Sequence, residues 1–137
     1  MLCSLAVASS WPQRPKSATQ LLVGSWRYDL ASVHVALSAK ADHQAKARSV
    51  RKEVLATLKT LILIFRADRT FQTKEAGRAP EAAGTWTLAG LKIIVHATNL
   101  RQRTPAMELS QDGRRIHTVD SEPGFGVVRV DLVKVPR

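Results

Sequence analysis

The sequence VGSWRYDL at residues 23–30 and the sequence AAGTWTLAGLKIIV at residues 82–95 share one motif. In each, a glycine and a small hydroxyl residue precede a tryptophan, and a strand-like alternation of side chains follows. Two of the three tryptophans, Trp26 and Trp86, stand in this motif. Gly24 and Gly84 allow a neighbouring backbone to approach closely, and a tryptophan buries a large apolar surface. We therefore predict that both motifs begin strands and that their residues plug one end of a β-structure.

Further segments with strand character follow at close intervals. Residues 61–65 (LILIF) are apolar on both faces, and residues 91–98 alternate between apolar and polar side chains. The other candidate strands are residues 21–28, 71–74, 85–88, 106–110, 114–119 and 127–135. Turns are predicted at residues 68–69, 89–90 and 112–113. Consecutive hairpins produce an antiparallel meander, and closure removes its two edges, so we predict a mainly β fold of about eight strands closing into a barrel.

Residues 31–59 interrupt the strand pattern. They are rich in Ala, Lys, Arg, Leu and Gln and contain neither Gly nor Pro, which favours a helix. Asp29 and Ser32 are candidate N-caps, and residues 41–43 are a candidate break between two helical pieces. One apolar face repeats every three or four residues at Val50, Val54, Leu58 and Leu61. We therefore predict a helical insertion after the first strand.

The length of 137 residues predicts one domain preceded by an arm. Residues 1–20 are the predicted flexible arm, which contains Trp11, and residues 21–137 are the predicted barrel domain. Residues 1–10 (MLCSLAVASS) resemble the end of a secretory signal, with an A-x-A-like site at residues 6–8 but no basic region before it. We expect a secreted or periplasmic protein if this is a truncated signal, and a cytoplasmic protein if it is only an arm.

The residues that carry chemistry do not form a recognisable catalytic or metal motif. Cys3 is the only cysteine, so neither an intrachain disulfide nor a metal site of paired cysteines can form. The four histidines lack metal-ligand spacing, and the serines lack the frame of a nucleophile elbow. No glycine-rich phosphate loop stands between a strand and a helix. We therefore predict a non-catalytic protein without a metal or a cofactor.

The charge of the chain points to anionic partners. The net charge is +10 and the pI is about 10.7, and lysines and arginines concentrate in the predicted helix. Lys46, Arg48, Arg51 and Lys52 are the candidate residues for binding an anionic surface, although a solvated basic face is an alternative interpretation. Base-stacking aromatic residues are absent near this helix, so we do not expect specific nucleic-acid recognition. The longest apolar run after the arm, LILIF, is too short to span a bilayer, and no transmembrane segment is predicted.

Four motifs together resemble the bacterial lipocalin-like domains of the calycin group. They are GSW at 24–26, IFRADRTF at 64–71, GTW at 84–86 and LSQDGRRI at 109–116. Arg69 departs from the pattern, which has glycine at that position. The resemblance implies a barrel in which Trp26 packs across one end and a basic residue near the C-terminus, Arg129 or Lys134, covers it. A helix between the first two strands is also similar to the lid of fatty-acid-binding proteins, whose Arg-x-Tyr motif would fall on Arg129 and Asp131, with aspartate in place of tyrosine.

The resemblance implies a binding protein that carries a small hydrophobic or amphipathic ligand in the barrel. The candidate ligand-binding residues are Tyr28, Phe65, Phe71, Trp86, Ile93, Val95, Met107, Ile116 and Arg129. Arg129 and Asp131 either form a pair on the outer surface, which we favour, or give the lumen a polar end. The alternative function is a structural or interaction module whose basic helix docks on an acidic lipid surface, an acidic protein or a nucleic acid.

Overall fold

The computed structural model describes residues 17–37, 44–98, 105–122 and 126–136, and for residues 44–47 and 122 the backbone alone. The predictions for residues 1–16, which include the signal-like segment and Trp11, lie outside the described residues. The candidate helix break at residues 41–43 also lies outside them. Among the described residues, no helix combines the length and the apolar character needed to cross a membrane.

Eight antiparallel strands pair in sequence order, and the last pairs with the first to close a barrel. The strands are β1 (Gly24–Leu37), β2 (Leu61–Phe65), β3 (Thr70–Glu75), β4 (Glu81–Ala89), β5 (Lys92–Ala97), β6 (Ala106–Leu109), β7 (Arg115–Glu122) and β8 (Gly126–Lys134). A short helix, α1 (Ala18–Leu22), precedes β1, and a longer helix, α2 (Gln44–Lys59), follows it. The prediction of a mainly β meander that closes into a barrel, with a helix after the first strand, is confirmed.

One end of this barrel, here named the closed end, is sealed by α1 and by buried aromatic residues. The start of β1, the end of β8 and the β6–β7 turn meet there, because neighbouring strands run in opposite directions. The Lys134 ammonium donates a hydrogen bond to the Leu21 carbonyl at 2.9 Å. The Leu21 side chain lies so close to Gly113, in the β6–β7 turn, that a Cβ there would come within 2.7 Å of Leu21 Cδ1. These contacts hold α1 against the barrel.

Both tryptophans of the repeated motif are fully buried. The indole N–H of each donates a hydrogen bond to a backbone carbonyl. Trp26 Nε1 donates to the Leu22 carbonyl at 2.8 Å, and Trp86 Nε1 donates to the Arg66 carbonyl at 3.1 Å. Phe65 packs edge-on against Trp86, with ring centroids 6.1 Å apart. Each ring therefore combines a large apolar burial with a satisfied polar atom. Both rings belong to one buried core cluster, and their role as a plug stays a prediction.

Gly84 is required by the close approach of two strands. Its φ of +151° is rare for residues with a side chain, and a Cβ there would lie 2.9 Å from the backbone carbonyl carbon of His96 on β5. At Gly24, whose φ is +142°, the neighbour is instead the Lys134 side chain, whose Cε would be 2.7 Å from an added Cβ. The two glycines of the motif thus make room for different neighbours.

The N-terminal boundary of the predicted insertion is wrong, because residues 31–37 continue β1 instead of starting a helix. This stretch pairs with β8, and the pairing register shifts between Asp29 and His34. In the bulge, Ser32 Oγ donates to the Asp29 carbonyl at 2.6 Å and accepts from the Asp131 amide at 2.8 Å. Ser32, which was predicted to cap a helix, therefore makes side-chain to backbone hydrogen bonds, as an N-cap does, but it makes them at a β-bulge.

The prediction that residues 9–20 form a linker is wrong for the last residues, because α1 begins at Ala18. Ser17 caps this helix: its hydroxyl accepts from the Gln20 amide, and the Gln20 side chain accepts from the Ser17 amide. This reciprocal capping box satisfies two backbone donors of the first turn. The strand at residues 85–88 is also longer than predicted, because Glu81 and Ala82 pair with β3.

The turns follow the predicted positions, with one residue in an unusual conformation. Arg69, which stands where the resembling domains have glycine, has a φ of +74°, and among the described residues it is the only non-glycine with a positive φ. The Asp68 carboxylate accepts from the Thr70 hydroxyl and amide, and these bonds lower its pKa below the usual range. Asp112 has the same role in the β6–β7 turn, where it accepts from Ser110 and Arg114.

Candidate ligand cavity

The half of the barrel away from the closed end is hollow and lies beneath α2. An outer cavity of about 340 Å³ separates the helix from the barrel mouth. An inner cavity of about 180 Å³ lies inside the barrel, and Tyr28 and Pro105 line both spaces. The outer cavity is lined by Tyr28, Glu53, Val54, Thr57, Leu58, Pro105, Thr118, Asp120, Val128 and Val130. The inner cavity is lined by Tyr28, Leu61, Leu63, Phe71, Thr73, Ala83, Val95, Ala97, Pro105 and Met107.

The helix contributes its apolar face to the outer cavity. Val54 and Leu58 are four residues apart, so they share one side of α2, and both are half-buried. They line the outer cavity together with Glu53 and Thr57, one position before each. The apolar helical face predicted from the sequence is therefore confirmed at Val54 and Leu58, but Leu61, its last predicted member, lies in β2 and not in the helix.

Residues on one side of β7 and β8 form the barrel wall of the outer cavity. On β7, Ile116, Thr118 and Asp120 point to the same side, since every second residue of a strand does. Ile116 is fully buried in the core, Thr118 is almost fully buried, and Asp120 is exposed, so this row runs from the packed half toward the mouth. On β8, Val128 and Val130 complete the wall.

Tyr28 is the polar residue shared by the two cavities. Burial raises its pKa to about 12 by penalising the phenolate, and the nearby Asp120 carboxylate adds to this effect. Within the described residues, its hydroxyl makes no hydrogen bond to a side chain or to the backbone. Tyr28 therefore presents a neutral hydroxyl at physiological pH.

The two threonines that line the outer cavity, Thr57 and Thr118, donate their hydroxyl protons within the protein. Thr118 Oγ1 donates to the Val130 carbonyl at 2.7 Å, and Thr57 Oγ1 donates to the Glu53 carbonyl at 3.0 Å. Their oxygens keep the capacity to accept hydrogen bonds. The polar lining of the outer cavity therefore consists mostly of acceptors, with the carboxylates of Glu53 and Asp120 as its charged members.

The predicted ligand-binding residues separate into three groups. Four of them line the inner cavity: Tyr28, Phe71, Val95 and Met107. A second group points inward but belongs to the packed core and lines neither cavity: Phe65, Trp86, Ile93 and Ile116. The physical reason is their height along the barrel, because near the closed end they pack in one buried cluster with Trp26 and Leu22.

Arg129, the remaining predicted ligand residue, is exposed on the outer face, while its neighbours Val128 and Val130 line the cavity. Its placement in the binding site is therefore corrected. Lys134 instead covers Trp26, with Nζ 5.6 Å from the ring centroid. The preference for an outward Arg129 and Asp131 agrees with the structure, although Asp131 pairs with other residues.

The outward charges near Asp131 form a network across three strands. Arg115 Nη1 lies 3.0 Å from Asp29 Oδ2 and 3.2 Å from Asp131 Oδ2. His117 Nδ1 lies 2.8 Å from Asp131 Oδ1. These contacts join β1, β7 and β8 beside the bulge, and the two carboxylates raise the pKa of Arg115. No group of three potential ligands for a metal ion occurs within residues 17–37, 44–98, 105–122 and 126–136.

Three of the basic residues predicted to bind an anionic surface line neither cavity. Arg48, Arg51 and Lys52 are all exposed. Lys46, the fourth predicted residue of this surface, lies in α2, but its side chain is outside the described part. The helix thus places Val54 and Leu58 on the cavity, whereas Arg48 and Lys52, four residues apart, share another side in solvent.

Several lining residues were missed at the level of sequence. Asp120 could have been found by extending the inward alternation of Ile116 by four residues, and Val54 and Leu58 by assigning the helical face to the barrel mouth. Glu53 offered no such signal, because a charged residue beside an apolar face is usually solvated. Comparison of the chain with family models, curated proteins and solved structures finds no match.

Proposed function

We propose that the protein is a non-catalytic, lipocalin-like binding protein that carries a small hydrophobic or amphipathic ligand. The observation that supports this most directly is the outer cavity of about 340 Å³ between α2 and the barrel mouth, which adjoins the inner cavity. Small-molecule sites have volumes of about 300–1,000 Å³, and barrel mouths are frequent locations for them. A fold needed only for support would gain stability by filling such a space.

The chemistry of the lining also supports a ligand with a substantial apolar part. The inner cavity is surrounded by aliphatic, aromatic and thioether side chains, among them Leu63, Phe71, Val95 and Met107. An apolar group that enters this space loses its contact with water and gains dispersion contacts with these walls. The charged lining residues Glu53 and Asp120 border the outer cavity and not the inner one.

A second candidate function is docking on an anionic surface, and the exposed Arg48, Arg51 and Lys52 on α2 support it. Such contacts are mainly electrostatic and weaken as salt screens the charges. Cosedimentation with vesicles of acidic and of neutral lipid, at low and high salt, tests this function. Replacing the three residues together with Gln should abolish salt-sensitive binding to acidic vesicles, and unchanged binding would exclude this face.

Ligand binding is tested with a neutral naphthalene dye, N-phenyl-1-naphthylamine, whose fluorescence increases in apolar surroundings. We expect saturable binding by the native protein. Ala97 lines the inner cavity, so Ala97→Phe should fill it and weaken dye binding about tenfold or more. The matched control is Ala106→Phe, because Ala106 is exposed on β6 and the same group is added outside the lumen.

The two variants separate a lumen site from surface adsorption. Equal loss of dye binding in both variants, or no loss in either, would contradict binding inside the barrel. Failure of the dye and of every other apolar probe to bind or to raise the melting temperature would reject the proposed function.

A further inference from the structure

We propose that the outer cavity selects amphiphiles with a cationic ammonium head group and rejects those with a carboxylate. This inference rests on the proposed binding function and specifies its ligand class. It arises from the juxtaposition of Glu53 on α2, Asp120 on β7 and the Tyr28 hydroxyl around one space that continues into an apolar chamber.

The charge of the lining is opposite in sign to that of the whole chain. The protein has a net charge of +10, yet among the described residues the charged ones that line the outer cavity are Glu53 and Asp120, and both are acidic. Within the described part of the chain, neither carboxylate forms an ion pair with a lysine, arginine or histidine side chain. The field of Asp120 also reaches inward, since it contributes to the raised pKa of Tyr28. A cation in the outer cavity would thus lie between two carboxylates.

The hydrogen-bonding capacity of the lining leads to the same ligand class. Thr118 and Thr57 already donate to backbone carbonyls, so their free capacity is as acceptors. The carboxylates are acceptors as well, and among the described residues of the outer cavity Tyr28 supplies the single side-chain hydroxyl whose proton is uncommitted. An ammonium group has only donors to offer and matches such a lining. A carboxylate ligand has only acceptors, and its desolvation would be poorly compensated.

The order of the two cavities orients the ligand. The acidic residues line the outer cavity alone, whereas Leu63, Phe71 and Met107 line the inner one. An amphiphile therefore enters with its apolar tail toward the closed end and leaves its head group beneath α2. Arg129, the residue predicted to hold a carboxylate, is exposed and does not line the outer cavity.

The test uses three ligands with one tail: decylammonium, decanol and decanoate. Their dissociation constants are measured by displacement of N-phenyl-1-naphthylamine at neutral pH, below their micelle concentrations. We expect decylammonium to bind about tenfold more tightly than decanol, and decanoate to bind more weakly than decanol. The preference for decylammonium over decanol should decrease as salt is added.

Asp120→Asn and Glu53→Gln remove one charge each while keeping the shape of the side chain. In each variant, we expect the ratio of decylammonium affinity to decanol affinity to fall about fivefold, and in the double variant to approach one. The matched control is Glu108→Gln, because Glu108 is an exposed carboxylate on β6 between the buried Met107 and Leu109. This variant changes the net charge equally and should keep the native ratio.

The outcomes distinguish the ligand class from the binding function. If decanoate binds as tightly as decylammonium, or if Glu108→Gln lowers the ratio as much as Asp120→Asn, the inferred selectivity is wrong although the cavity still binds amphiphiles. If none of the three ligands displaces the dye and the dye itself does not bind, the proposed function fails first.

Discussion

The indole nitrogen of Trp26 donates a hydrogen bond to the carbonyl of Leu22 at 2.8 Å, and this bond joins the closed end of the barrel to α1. The ring is fully buried, and the Lys134 ammonium lies above it. Trp26 is thus surrounded by the first helix, the first strand and the last strand. The chain closes this end of its barrel with residues from both ends of the domain.

Truncation of Trp26 should therefore be costly. We expect Trp26→Ala to lower the free energy of unfolding by about 3–5 kcal/mol, because it leaves a large cavity in a packed core. Trp86→Ala should cost a similar amount, since Trp86 is equally buried. Trp26→Phe should be intermediate, because it keeps a ring but loses the bond to Leu22. Denaturant midpoints followed by circular dichroism measure these effects, and a neutral Trp26→Ala would contradict the plug interpretation.

The glycine of the second motif should be irreplaceable for a different reason. Gly84→Ala places a Cβ against the His96 backbone and also forces alanine into a φ of +151°. Backbone atoms of a paired strand cannot move aside easily, so we expect a loss of about 3 kcal/mol or more.

The control for Gly84 is Gly77→Ala. Gly77 also has a positive φ, +80°, but an added Cβ would meet no atom within 4 Å. Its cost should be limited to the backbone term of about 1–2 kcal/mol. If both variants lose the same free energy of unfolding, the close approach of β5 is not the reason for glycine at position 84.

Arg69 combines an unfavourable backbone with a favourable ring contact. Its φ of +74° strains a residue with a side chain, whereas its guanidinium carbon lies 4.6 Å from the centroid of the Trp86 ring. Arg69→Ala keeps the strain and loses the cation–π contact, so we expect a loss of about 0.5–1 kcal/mol. Arg69→Gly also loses the cation–π contact, but it removes the backbone strain. It should therefore be about 1 kcal/mol more stable than Arg69→Ala. The reverse order in thermal or chemical unfolding would argue against backbone strain at this turn.

Tyr28 should make the fold sensitive to alkaline pH. Its pKa is raised from 10.0 to about 12 in the folded state, so the unfolded chain loses the phenolic proton first. The stability associated with the neutral phenol is complete below pH 10 and is lost as the pH rises toward 12, at about 1.4 kcal/mol for each pKa unit. Tyr28→Phe should remove this part of the alkaline loss.

The titration of Tyr28 is directly observable, because it is the only tyrosine in the chain. Ultraviolet absorbance of the phenolate should show a midpoint well above 10.0 while circular dichroism reports a folded protein. Asp120→Asn should lower that midpoint, since the carboxylate is the second cause of the shift, whereas Glu108→Gln should not. A midpoint at the ordinary value would contradict the burial of this hydroxyl beside the cavity.

Local chemistry was enough to predict much of the barrel. Alternation identified the inward residues of β5, including Ile93 and Val95, and the Asp112–Gly113 pair located the β6–β7 turn. These features depend on neighbours a few residues apart, so the linear pattern contains them. The apolar side of α2 at Val54 and Leu58 was also predictable from near neighbours, because it follows from the period of a helix.

Other features depend on partners that are distant in the sequence. Residues 31–37 have the composition of a helix, yet they become part of β1 because β8 supplies their hydrogen-bonding partners and Ser32 bonds to the Asp131 amide across the bulge. Pairing with a neighbouring strand outweighs a weak helical propensity.

The sequence by itself determined the two alternating faces of each strand, but on β8 it left open whether the face of Arg129 and Asp131 points to the lumen. Only the tertiary structure decided which inward residues are packed and which border a cavity. Ile116 and Asp120 share one side of β7, but one is buried among the closed-end aromatics and the other lines the space beneath α2. Height along a barrel, and the volume left unfilled there, depend on all eight strands and both helices at once. No local pattern contains that sum, and for the same reason the placement of Glu53 and Asp120 on one cavity could be found only in the folded chain.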